Sequence, residues 1–131
     1  MGIAYLDASA FCKLLKPEAE SMALRHALEQ EDAWLASEIL AVEVGRVAQL
    51  TGGDAPERAR DELARVVLAP LTEMVRTAAA TVPPSRLRAL DAIHLATALG
   101  LRAEIDAVYA YDGRLAEAAQ EHGLEVRAPV R

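Results

Sequence analysis

Short apolar runs alternate along this chain with longer stretches in which apolar positions recur every three or four residues. That pattern predicts strands interleaved with helices. Residues 3–6, Ile-Ala-Tyr-Leu, read as a short buried strand that stops at Asp7. Ser9 is placed to cap the helix AFCKLL, which Pro17 terminates. The segment EAESMALRHALEQED sets Met22, Leu24, Ala27 and Leu28 at helical spacing. AWLAS is short and apolar, and Ser37 looks like the N-cap of the next helix, EILAVEVGRVAQLTGG. Ile39, Leu40, Val44, Val47 and Leu50 form its apolar stripe, and Gly52 and Gly53 end it. Asp54, Pro56 and Glu57 signal a further helix, expected to carry ERARDELARVVL. APLTEM reads as a weak third strand, and a helix then runs to Pro83-Pro84. SRLRALDAIHLATALGL is a strongly apolar helix closing near Gly100. AVYAY is a strand ending at Asp112, GRLAEAAQEH a helix ended by Gly123, and LEVRAP the final strand.

Strands alternating with helices imply an α/β fold, a central parallel sheet of about four to five short strands flanked by helices. The chain has 131 residues, enough for one domain spanning 1–131, and no repeat, low-complexity tract or linker divides it. Apolar residues make up 53%, which excludes a disordered chain, while 4% aromatics favour closely packed helices over a sandwich. No stretch approaches the roughly 20 apolar residues of a membrane helix, and no signal-peptide pattern opens the sequence. Cys12 is the lone cysteine, so neither an intrachain disulfide nor a thiolate metal cluster is available. A reducing cytoplasm is the expected location.

The informative positions are four acids inside apolar runs: Asp7 in IAYLDAS, Glu43 in LAVEVGR, Asp91 in LRALDAIHLA and Asp112 in VYAYDGRL. Burying a carboxylate costs several kcal/mol unless it is paired or holds a metal. Four such positions suggest one acidic pocket for divalent cations. Hard cations take oxygen ligands, and such a site suits hydrolysis of phosphate esters. Asp7 and Asp112 fall at the C-terminal ends of predicted strands, where open α/β sheets place their sites. Asp91 lies near a helix start, and Glu43 is a mid-helix acid. Asp7 and Asp91 are the expected main anchors; Glu43 and Asp112 complete the cage or orient water. The formal net charge of −6 argues against nucleic-acid binding by bulk electrostatics. Setting the four acids aside leaves −6 + 4 = −2, so affinity would rest on metals and a few local arginines.

In this order the four blocks resemble those of the PIN-domain nucleases, specifically the small VapC-type toxins of bacterial toxin–antitoxin pairs. YLDASAF is similar to that family's opening strand and acid, and ASEILAVEVGRV to its glutamate helix. LRALDAIHLATAL resembles its most specific block, and YDGRLAEAAQEHGLEV its last acid with the helix and strand that follow. The resemblance covers almost the whole chain. It implies endoribonuclease activity dependent on Mg²⁺ or Mn²⁺, with an acidic site at Asp7, Glu43, Asp91 and Asp112. It also implies an RNA substrate and a small cognate antitoxin. One departure is Ala110, where the family often has a polar residue two positions before the last acid. Ser9 still offers a hydroxyl in support of Asp7.

Each acid also has an ordinary structural reading. Asp7 and Ser9 suit a helix cap, Asp91 an acid favoured by the helix dipole, and Asp112-Gly113 a turn. His94 shares a helix face with Asp91 and reads as a core or supporting histidine. Cys12 reads as a small buried hydrophobe, and Trp34 as core or subunit interface. Arg86, Arg88 and Arg114 adjoin acid motifs and suit either phosphate contact or a solvated helix end. Two alternatives to the nuclease are a catalytically impaired PIN-fold binding module and an aspartate-based phosphotransfer domain. The second is weaker, because Ser9 stands where a dehalogenase-type site wants a second aspartate. Phe11, Leu14, Leu15, Leu24 and nearby Trp34 predict a homodimer that buries them. The antitoxin is expected to lie along the early helices and place an Arg or Lys near Asp7, Glu43 and Asp91.

Overall fold

The computed structural model describes residues 2–130. Its elements are β1 (Ile3–Leu6), α1 (Ala8–Phe11), a 3-10 turn (Cys12–Leu14), α2 (Ser21–Glu29), β2 (Ala33–Ser37) and α3 (Ile39–Thr51). They continue with α4 (Ala55–Leu63), β3 (Val66–Ala69), α5 (Glu73–Thr81), α6 (Ala89–Gly100), β4 (Ala107–Tyr109), α7 (Gly113–Glu121) and β5 (Val126–Arg127). The five strands form one sheet in the order β3-β2-β1-β4-β5, and every pairing is parallel. This is the helix-flanked parallel sheet that the alternating pattern predicts.

Topology places the functional edge. From β1 the chain moves outward to β2 and β3, then returns to the other side of β1 for β4 and β5. Strand order therefore switches between β1 and β4. Open α/β sheets leave a crevice at such a point, beyond the carboxyl ends of the strands.

Side chains of β1 alternate across the sheet, as the pleat requires. Ala4 and Leu6 join the larger core with Phe11, Leu14, Leu24, Leu28, Leu40 and Val44. Tyr5 faces the opposite layer with Ala98, Val108 and Ala110. Its hydroxyl donates to the carbonyl of His94 at 2.9 Å, which ties α6 to the central strand.

Several boundaries differ from the expectation. The third strand is Val66–Ala69, not APLTEM. Helix α4 stops at Leu63, because Val66 through Ala69 pair with Trp34 through Ser37 of β2. Pro70 follows the strand without a donor, and the Thr72 side chain caps α5 by accepting from the N–H of Val75. Ser9 does not cap α1; Asp7 does, accepting from the N–H of Ala10. Ser37 closes β2, and its hydroxyl accepts from Ile39 N–H at 3.2 Å, one position ahead of the formal cap.

The expected grounds for a homodimer also change. Phe11, Leu14, Leu15, Leu24 and Trp34 are all buried within this single chain. The sheet and α2–α4 cover them, so they leave no patch for a second copy. Val42, Leu50, Val67 and Met74 are among the large apolar side chains that stay exposed. No helix among the described residues is long and apolar enough to cross a membrane.

Candidate active site

Asp7 follows the last residue of β1 and is 2% exposed. It cannot be left unpartnered there. Its Oδ1 accepts from Ala10 N–H at 2.9 Å, and the Ser9 hydroxyl lies 2.7 and 2.8 Å from its two oxygens. The same hydroxyl accepts from the backbone N–H groups of Tyr111 at 2.9 Å and Asp112 at 3.1 Å. Ser9 therefore donates to one acid and receives from the loop that carries another. It locks the β1 and β4 exits together across the switch point. Ala110, the departure noted in the sequence, is buried in the core and donates its N–H to the Arg127 carbonyl at 3.2 Å.

Asp112 occupies the N-cap of α7, its Oδ1 accepting from Arg114 and Leu115 N–H groups at 2.9 and 3.2 Å. Asp91 stands in the first turn of α6 and is half-buried. The two acids line one cleft of about 570 Å³ with Arg88, Gly113, Arg114 and Glu117.

Glu43 reaches the site differently. It sits in the middle of α3, where His94 Nε2 on α6 lies 2.6 Å from its Oε1. His94 is 1% exposed, and its Nδ1 is buried with no hydrogen-bond partner among the described residues. The carboxylate of Glu43 accepts a hydrogen bond from Nε2–H. The histidine read from sequence as a core residue thus fixes one of the four acids.

The electrostatics agree with a shared pocket. Burial pushes the Asp7 carboxyl up to about 6, against the lowering by its hydrogen bonds from Ala10 and Ser9, with the charge of Asp112 adding to the rise. Asp91 is raised as well, first by burial, then by Asp112 and also by Glu43. Acids raised by burial and by neighbouring negative charge favour a bound cation. Among the described residues, no three His, Cys, Asp or Glu side chains stand close enough to enclose an ion as they lie. The hydrogen bonds show why: Glu43 is drawn to His94, and Asp112 turns onto its own helix. The donor chemistry still fits a hard cation, since the four carboxylates supply oxygen.

The remaining candidates resolve into structure. Burial pushes the Cys12 thiol up to about 11, which suits packing rather than nucleophilic attack. Trp34 is core: its indole N–H donates to the Leu28 carbonyl at 2.9 Å, and Arg65 lies over its ring at 4.0 Å.

A five-stranded parallel sheet with Asp7 and Asp112 at its switch point defines an α/β fold class, and the comparisons give it a family. The PIN domain model matches residues 4–121. Ribonuclease VapC35 of Mycobacterium tuberculosis is 39% identical over 129 residues, covering 95% of this chain and 96% of that protein. Ribonuclease VapC46 of the same species is 38% identical over 129 residues, covering 98% and 99%. Among solved structures, a toxin–antitoxin complex from Klebsiella pneumoniae superposes with a TM-score of 0.71 at 20% identity, covering 98% of each chain. The M. tuberculosis toxin VapC20, described as cleaving the sarcin–ricin loop, superposes at 0.74 with 18% identity over 95% of this chain and 99% of that one. The chain belongs to the PIN-domain family, in its branch of VapC ribonuclease toxins.

Proposed function

We propose that Asp7, Glu43, Asp91 and Asp112 form one hydrolytic centre that cuts RNA phosphodiester bonds with Mg²⁺ or Mn²⁺. The observation that carries this reading is the Ser9 hydroxyl, which binds Asp7 and the Asp112 loop together at the switch point. When bound, the cation supplies an activated water and neutralises charge developing on the phosphate. The protein's part is to hold the acids. Asp7 and Asp91 are the main anchors, because burial and like charge leave them most in need of a counter-ion. Asp112 is aimed by its cap, and Glu43 by His94. Attack by water leaves a 5′-phosphate and a 3′-hydroxyl. The two alternatives lose ground: Ser9 joins the loops despite Ala110, and it fills the position where an aspartate-based phosphotransfer site wants a second aspartate.

A small antitoxin is the expected partner, in keeping with the toxin–antitoxin complex among the structural neighbours. Its Arg or Lys would meet the same acids that favour a cation. A second copy of this chain would cover Val42, Val67 and Met74 rather than the early-helix set. The test of the centre is RNA cleavage by wild type and Asp91→Asn in Mg²⁺ and in excess EDTA. The variant and the chelated protein should both be inactive, and full activity in either would overturn the assignment.

A further inference from the structure

The acidic cleft continues past its acids. A second concavity of about 320 Å³, lined by Pro84, Arg86, Leu87, Arg114 and Glu117, shares Arg114 and Glu117 with it. Together they make one groove from Asp91 and Asp112 along the start of α7 to the loop before α6. Three arginines border it, in a chain whose formal net charge is −6.

The pairing state of those arginines is informative. Elsewhere Lys13, Arg25, Arg58 and Arg127 each hold a carboxylate within 3.2 Å, while Arg46, Arg60, Arg76 and Arg102 pair with none among the described residues and do not line this cleft. Among the described residues, Arg88 and Arg114 make no ion pair although both line the cleft with three carboxylates. Arg86 has one long contact, to Glu117 at 3.7 Å. All three are exposed. The nearby acids Asp91 and Asp112 are committed to the pocket and to the α7 cap, so the guanidinium groups keep their donors open. A planar guanidinium matches a phosphate bidentately.

We propose that this groove is the track of a single RNA strand leading away from the scissile phosphate. Arg88 and Arg114 hold the phosphates beside the scissile one, and Arg86 holds the phosphate beyond. A single strand is favoured because its backbone bends into a groove that descends to a half-buried Asp91. The track rests on the hydrolytic reading above, since it takes the acids as the point of cleavage.

The test measures binding apart from cleavage. A labelled single-stranded RNA is titrated in EDTA over a series of salt concentrations, with affinity read by fluorescence anisotropy. The Arg88→Ala/Arg114→Ala double variant should bind about tenfold or more weakly, and its slope of log affinity against log salt should fall by about 1.4, two single-strand phosphate contacts. Arg86→Ala should lower the slope by about 0.7, and Arg114→Lys should retain most of it. Arg60→Ala, exposed on α4, should change nothing. An unchanged slope in the double variant, or an equal loss in Arg60→Ala, would overturn the track. Tighter binding of a duplex with the same arginine dependence would overturn the single-strand assignment. Persistent cleavage by Asp91→Asn would remove the hydrolytic reading, whereas the arginine slopes are decided by binding alone.

Discussion

Two concavities of this protein are lined by cations, and they are built in opposite ways. The first, about 350 Å³, lies between the early helices and carries Lys13, Lys16, Arg25 and Arg58. There the charges are satisfied. Lys13 bridges Glu18 and Glu20 at 2.8 and 2.9 Å, Arg25 pairs with the buried Glu62, and Arg58 meets Asp54 at 2.9 Å. The second cleft carries Asp91, Asp112, Arg88 and Arg114, and among the described residues no ion pair joins them. Of its acids, Asp91 is instead raised, first by burial and then by the charge of Asp112. Concavity and cationic lining are common to both. Charge left without an ion pair separates the cleft proposed for chemistry from the one built for stability.

The largest contrast is in activity. Asp7→Asn or Asp91→Asn should reduce RNA cleavage about 1,000-fold, the scale expected for groups acting on transition-state charge. Glu18→Gln, beside the satisfied cleft, should leave the rate within about twofold. A comparable loss in Glu18→Gln would erase the distinction between the clefts.

Next comes the histidine. His94→Leu removes the donor that aims Glu43 and should cost about 10- to 100-fold in activity, as supporting partners of metal ligands do. His94→Gln keeps an N–H donor on a similar reach and should recover part of that loss. Equal defects in both variants would make His94 a packing residue only.

Stability should show the opposite sign from activity at Asp7. An acid raised in the folded state binds its proton more tightly there than in the unfolded chain. Stability contributed by that proton is present below the ordinary carboxylate range and is lost as pH rises through about 6. Urea unfolding of the metal-free protein should therefore show greater stability at pH 5 than at pH 7.5. Asp7→Asn should stabilise the metal-free protein at pH 7.5 by on the order of 2 kcal/mol. A destabilised variant with flat pH dependence would refute the strained-acid account.

The smallest effect belongs to the satisfied cleft. Arg25→Ala leaves the buried Glu62 with only Arg65, 3.8 Å away. It should lower stability by about 1 kcal/mol while RNA cleavage is retained. A loss of cleavage with no loss of stability would move this cleft into the functional class.

Much of this was legible because its signals are local. Alternating patterns marked four of the five strands, and the acids at strand exits needed only the neighbouring apolar run to stand out. Val66 through Ala69 escaped because their apolar run continues an amphipathic helix without a break. Their strand character comes from pairing with β2, not from the local sequence. The Glu43–His94 contact joins residues 51 apart, and no spacing rule reaches that far. A mid-helix acid among apolar residues did announce that some partner existed. Phe11 and Trp34 misled as interface residues because apolar count alone does not tell a chain's own core from a shared one. Ser9 was seen as a hydroxyl near Asp7, but its hold on the Asp112 loop depends on β1 and β4 being neighbours.

The proposed function requires the four carboxylates Asp7, Glu43, Asp91 and Asp112 to form one cation site. Direct Mn²⁺ titration of the purified protein, read by electron paramagnetic resonance, tests it without any RNA. Saturable binding is predicted for wild type, weakened at least about tenfold in Asp91→Asn and unchanged in Glu18→Gln. Binding that survives in Asp91→Asn, or that falls equally in Glu18→Gln, would contradict the account.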